Sequence, residues 1–304
     1  WWTCSPSCSS RAADMNATDA APPRAMLLVG IARRSPTFAA GFAIVLAFAL
    51  LAVLAPVISP YSPTQSFPDQ VLRPPQERFL LGTDGNGMDM LSRLIHGSAY
   101  AFAILLPAGL ISIAAGVPIG LLAGYRGGWL DEAVMRVADV LRAFPTIVLA
   151  LAVVAAAGPS LINVVLVVGL LDSPVFVRMV RAEVLALRNA PFVVAARAQG
   201  CSTARIVFVH ILPNAILGAT AQLPIRMAWA VRISATLAFI GVGVQAPAPE
   251  WGAMIRQGAE YVISGEYWVA LFPGIALIIL VIGLNLLGDG VQDLLDPRRR
   301  ATGK

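Results

Sequence analysis

Residues 191–214, PFVVAARAQGCSTARIVFVHILPN, form a moderately polar island between two long apolar stretches, and the reading of the whole chain turns on them. Pro191 suits the first turn of a helix and Asn189 is a plausible cap before it. Gly200 is where a helix of about ten residues would stop, because glycine accepts the left-handed closing conformation. Ser202 or Thr203 then caps a second helix running through Arg205, Ile206 and His210 to Pro213 and on into apolar sequence. Helix, glycine corner and helix make a protruding knob. Phe192 is its one aromatic anchor beside the small residues Ala195, Ala196 and Ala198, a shape suited to a groove on another protein. The plainer alternative is a loop that only joins two spans.

Working outward, the composition fits a membrane protein. The 304 residues are 58% hydrophobic and 13% charged, with mean hydropathy +0.75. This is too apolar for a soluble domain. The net charge of +5 raises nucleic acid as a partner, but Lys304 is the sole lysine and no basic patch interleaved with aromatics exists. Cys4, Cys8 and Cys201 form no disulfide framework, and with His96 and His210 far apart no metal site is expected. Residues 1–34 read as a cytoplasmic head, partly disordered or added sequence, with Met15 or Met26 as natural first residues. The glycosylation triplet Asn16-Ala-Thr18 is a chance match there.

The first apolar run, 37–58, follows Arg33 and Arg34 and is long enough to cross a bilayer. A segment from 59 to 98, rich in proline and then reading LLGTDGNGMDMLSRLIHGS, is expected to have structure of its own outside. Its Asp84 and Asp89 suit turn and capping chemistry better than a metal site. Residues 99–124 make a second span, small-residue rich and interrupted by Pro107 and Pro118. A third starts amphipathically near Trp129 and turns fully apolar after Pro145. Arg136, Asp139 and Arg142 share its face and are expected to pair internally. A fourth span covers 160–181 and a fifth 214–240. Asp172, Gln222 and Arg226 lie inside them as candidates for a translocation path, since ionisable groups in a span are costly. Asp172 either faces a pore or pairs with Arg178, Arg226 or Arg232. The last span is 268–288. Six spans put both termini on one side, and arginines concentrate there, at 11–34, 178–205 and 298–300, against Arg73, Arg78, Arg93 and Arg256 opposite. That asymmetry places the knob in the cytoplasm. The chain divides into 1–34, a first helix with its outer segment at 35–98, a core of five spans at 99–290 carrying the loop 189–213, and a cytoplasmic tail at 291–304.

Four motifs carry a family resemblance. Phe192-Val-x-Ala-Ala-Arg-Ala-x-Gly-x-Ser202, followed by Arg205-Ile and His210-Ile-Leu-Pro-Asn, resembles the coupling-loop signature of ABC importer permeases, with Val194 where Glu is frequent. Gly82-Thr-Asp-x-x-Gly-x-Asp-x-x-Ser-Arg93, Gly241-x-Gly-x-x-x-Pro-x-Pro-x-Trp-Gly252 and the ending Asn285-Leu-Leu-Gly-Asp-Gly290, with Asp293, Asp296 and Pro297, resemble the C-type permease of dipeptide, oligopeptide and nickel importers. The resemblance implies an all-α integral membrane protein of the type I importer fold in the bacterial cytoplasmic membrane. It gives Phe192, Val193, Ala195, Ala196, Arg197, Ala198, Gly200 and Ser202 the role of coupling to an ATPase. It implies a second homologous permease, two ATPase subunits or one fused, and an extracytoplasmic solute-binding protein as partners. ATP and Mg would be bound by those ATPases, because Gly-x-x-x-x-Gly-Lys-Ser/Thr cannot occur where the only lysine is the last residue. Peptide is the expected cargo. Nickel or glutathione would need no visible change, and an ion-driven secondary transporter is the alternative from another class, although the halves show no internal repeat. No membrane-enzyme motif is present, and the dinucleotide-like Gly241, Gly243, Ala246 lacks the strand and helix it would need.

Overall fold

Ser35 opens the first helix by accepting a hydrogen bond from the Phe38 backbone N–H at 3.3 Å, with Pro36 in the first turn. This helix, α1, runs Pro36–Ile58. The computed structural model describes residues 35–295. Expectations for Cys4, Cys8, the Asn16 triplet, Asp296, Pro297 and the arginines of 1–34 and 298–300 lie outside the described residues.

The second helix, α2, begins at Met90 rather than at 99 and continues to Arg126. Its 37 residues rise about 55 Å against a hydrocarbon core of about 30 Å, so its first turns stand within the 59–98 segment. The boundary drawn at 98/99 therefore falls inside a continuous helix. The third span is not one rod. Helix α3, Gly128–Ala143, and α4, Thr146–Ala157, are bent by 89° at Phe144-Pro145. The 12 residues of α4 reach only about 18 Å. Helix α5, Leu161–Leu187, is capped by Ser160. A short helix, α6, Pro191–Ala198, leads into α7, Thr203–Ile240, whose Ile206–Ile211 stretch is π-helical. Then come α8, Trp251–Ala259, which the sequence reading lacked, and α9, Trp268–Leu295. Five helices are long and apolar enough to cross a membrane, and six if the bent α3–α4 pair counts as one. Among the described residues there is no strand, only isolated bridges such as Ser66 with Met88 in the 59–98 segment.

Small residues decide which helices touch. Gly116, Gly120 and Gly124 recur every fourth residue along α2 and lie on Phe176, Val177 and Val184 of α5. Without side chains on that stripe the two backbones approach closely, which is how helices gain contact in lipid. Gly283 of α9 receives Ile44 of α1 in the same way. Charge pairing differs from expectation. Asp139 pairs with Arg178 and Asp131 with Arg181, both across to α5, instead of within the Arg136, Asp139, Arg142 face. These pairs bind α3 to the knob end of α5.

Candidate functional site

The knob is two-sided because its apolar residues recur three apart. Val193 and Ala196 point inward, 0% and 7% exposed, into a cluster with Val117 and Leu121 of α2, Phe176, Val180 and Val184 of α5, and Ile206 and Ile211 of α7. They hold the knob down and present no surface to a partner. The opposite face is open: Phe192 is 43% and Val194 52% exposed, and Ala195, Arg197, Ala198, Gly200 and Ser202 are exposed beside them.

Its ends are built by local chemistry. Ala190, not Asn189, occupies the capping position, and no side chain caps it. Gly200 takes φ +78°, so that the Cys201 N–H reaches back to the Ala196 carbonyl at 3.1 Å and the Gly200 N–H to that of Arg197 at 3.0 Å. These close α6 with the glycine corner expected from the sequence. Ser202 then caps α7 by accepting from the Arg205 N–H at 3.4 Å. Pro191 starts α6 three residues after Arg188, which caps the end of α5 and whose guanidinium lies 3.5 Å from the Gly124 carbonyl of α2. Thus α2, α5 and α7 all meet beneath the knob. Beside it an apolar groove of about 850 Å³ opens between Leu121 and Tyr125 of α2 and Val207 and Phe208 of α7.

Deeper in the bundle, the candidate path residues are partly brought together. Asp172 pairs with Arg226, Oδ1 to Nη1 at 3.3 Å, their side chains 5% and 23% exposed. Of the pairings left open, this is the one formed; Arg178 is taken by Asp139. Gln222 lies one turn before Arg226, half-buried and without a side-chain hydrogen bond among the described residues.

At the opposite end from the knob, the 59–89 segment is organised by Arg93, 2% exposed. Its guanidinium contacts Asp84 at 3.4 Å and donates to the carbonyls of Pro63 at 3.1 Å and Pro247 at 3.2 Å. One side chain thereby ties the 59–89 segment to the 241–250 loop. Asp84 also accepts from the Asn86 and Met88 N–H groups, and Asp89 caps α2 through the Ser92 N–H at 2.8 Å. The turn-and-cap reading of these two carboxylates accounts for both, and no group of His, Cys, Asp and Glu among the described residues could hold a metal ion. Glu250 caps α8 by accepting from the Ala253 N–H at 2.8 Å. Burial pushes its carboxyl up to about 7 although that bond and one from Gly252 favour the ionised form. Gly241 closes α7 at φ +95°, and although a helix does follow, no described strand precedes it, so nothing here resembles a dinucleotide site.

Comparison with known proteins gives this architecture a family. Residues 116–301 match the family described as binding-protein-dependent transport system inner membrane component, and residues 32–75 the N-terminal transmembrane domain of oligopeptide transport permease C. The first match spans the helices that hold the knob. The chain belongs to this family of transporter permeases. It is 37% identical to the dipeptide transport system permease protein DppC of Alkalihalophilus pseudofirmus, over 86% of each chain. It is 40% identical to the di/tripeptide transport system permease protein DppC of Pseudomonas aeruginosa, over 85% of this chain and 87% of that one. Among solved structures, the fold is similar to a chain of the MetNI methionine ABC transporter in inward-facing conformations. There the TM-score is 0.54 at 24% identity, over 66% of this chain and 94% of that one. As a permease, the protein is a multi-pass inner-membrane component that moves solute without catalysing a reaction, which is consistent with polar side chains inside its spans and a knob at one end.

Proposed function

We propose that this permease is the membrane-spanning subunit of an ATP-driven importer of di- or oligopeptides, and that residues 191–203 are the part a separate ATPase grips. The observation that carries the reading is the two-sided knob. One face is locked by Val193 and Ala196 onto α2, α5 and α7, and the other offers Phe192, Val194 and Arg197 to a partner. A displacement of the knob must travel into the bundle, because α7 continues unbroken from Thr203 to Ile240 and α5 ends at the knob. Alternating access then needs only rigid-body tilting of packed helices. ATP and Mg are bound by the ATPase subunits, a second homologous permease completes the path, and an extracytoplasmic binding protein delivers cargo to the outer segment. The knob faces the cytoplasm, with both termini, a reading supported by the arginine asymmetry.

The two relatives' names support short peptides as cargo over nickel. The same names support them over glutathione, whose γ-glutamyl linkage and thiol set it apart from ordinary dipeptides. The test is Phe192→Asp in the complete transporter reconstituted in vesicles. Nucleotide hydrolysis should persist while peptide uptake falls to background, because a carboxylate cannot be buried in an apolar groove without a partner. Uptake equal to wild type would overturn the docking assignment.

A further inference from the structure

Five neighbouring helices pack against α7. Leu223 and Met227 meet Gly109 of α2, Arg226 meets Asp172 of α5, Ala230 and Leu237 share a cluster with Ala150 and Val154 of α4, Ala235 lies on Gly252 of α8, and Ile225 on Gly288 of α9. At helical spacing, Gln222, Arg232 and Thr236 share one face of α7, on which Ile225 packs on α9 and Trp229 against the cluster of Ala150, Val154 and Val168. None of these is fully buried. An amide and a guanidinium on this face, beside a hydroxyl that donates to the Arg232 carbonyl, are poor company for lipid and good company for a polar solute.

Arg232 stands out on this face. It is exposed and has no hydrogen-bond or ion-pair partner for its guanidinium among the described residues, whereas Arg226 is already paired with Asp172. It lies eight residues before the end of α7, about 12 Å below the outer rim. An arginine that merely snorkels to the interface needs no polar companions along its helix face; a path does.

We propose that Arg232 takes the free carboxylate of the peptide as it enters the path from the outer side. The inference rests on the peptide-import reading and adds the chemical group that is recognised. A guanidinium matches a carboxylate through two parallel hydrogen bonds. Six residues further in, about 9 Å deeper, Arg226 is already engaged by Asp172, so the cargo meets one unpaired guanidinium and then one that is paired. Passage requires this arrangement, since a site that holds too well at every level would not release.

The test uses the complete transporter with its binding protein in vesicles, dialanine as the probe, and R232K, R232Q and R232E. Losing a charge-assisted bond should lower uptake roughly tenfold or more in R232Q. R232K should retain more uptake than R232Q, and R232E less. Binding-protein-stimulated ATP hydrolysis and subunit copurification should be unchanged in all three. Equal uptake in all variants overturns the proposal, and so do losses that parallel reduced hydrolysis or copurification, which would make Arg232 a contact between subunits. Absence of dialanine uptake by the wild type would instead sink the import reading, and this inference with it.

Discussion

Gly120 of α2 offers a measurement of how tightly the bundle beneath the knob is built. A Cβ added there would lie 2.5 Å from the Val177 carbonyl oxygen and 3.1 Å from the Val177 Cα, where ordinary contact begins at 3.4 Å. The obstacle is backbone, which cannot rotate aside, so α2 and α5 must separate by about 3.4 − 2.5 = 0.9 Å. A gap of that size forfeits a quarter to a half of each dispersion contact it opens. Overpacking of this kind costs about 1–3 kcal/mol, while alanine returns at most about 1 kcal/mol of helix propensity over glycine. The net expectation for Gly120→Ala is a loss of about 1–2 kcal/mol, a fall in melting temperature of roughly 2–8 °C. The assay is thermal unfolding of the purified permease in detergent, with Gly274→Ala as the control. Gly274 lies in α9 with nothing within 4 Å of an added Cβ, so the control should be neutral or slightly stabilising. If Gly120→Ala and Gly274→Ala melted together, the close α2–α5 approach would not be what sets the bundle's geometry.

Other perturbations read the outer face. Arg93→Met leaves Asp84 buried without its partner and cuts both carbonyl contacts, so it should cost about 3–5 kcal/mol and expose the 59–89 segment to limited proteolysis; a wild-type digestion pattern would contradict the tie. For Glu250, the folded carboxyl titrates at about 7 against 4.5 unfolded. The folded state therefore holds the proton more tightly, so its stabilising contribution is complete below pH 4.5 and lost as pH rises through 7. The whole swing is on the order of 3 kcal/mol. Glu250→Gln should flatten the wild type's fall in melting temperature between pH 5 and pH 8; an unchanged slope would mean that another group carries it.

The sequence disclosed most where lipid dictates composition. The apolar run of α1 and that of α9 up to Gly288 announce themselves because their sides face lipid or another apolar helix; the continuation of α9 to Leu295, through Asp289 and Asp293, lacks that signal. The start of α2 was hidden because Met90 to Ser98 reads as polar. Ser92, Arg93 and Ser98 find partners in Asp89, Asp84 and the Ile95 carbonyl, so hydrogen bonds within the chain replace the solvent that the pattern suggested. Helix α8 escaped notice because it is short and follows a proline-rich loop, with Glu250 an unusual cap. Pro145 was visible as a change of character, but neither the 89° bend there nor the pairing of α3 with Arg178 and Arg181 of α5 is written in the local pattern. At the knob, Pro191, Gly200 and Ser202 were legible from turn chemistry. Which face would turn outward was implicit in the three-residue spacing of Val193 and Ala196, and needed α2 and α5 in place to be read.

The most direct test of the knob as the grip of a motor is proximity. With Cys4, Cys8 and Cys201 replaced by serine, single cysteines at Ala195 and at Val193 can be treated with a short bifunctional thiol-reactive reagent in the assembled transporter. The account predicts that the exposed Ala195→Cys position joins the nucleotide-hydrolysing subunit and that the buried Val193→Cys position does not. Failure of the Ala195→Cys position to join that subunit in any nucleotide state would contradict it.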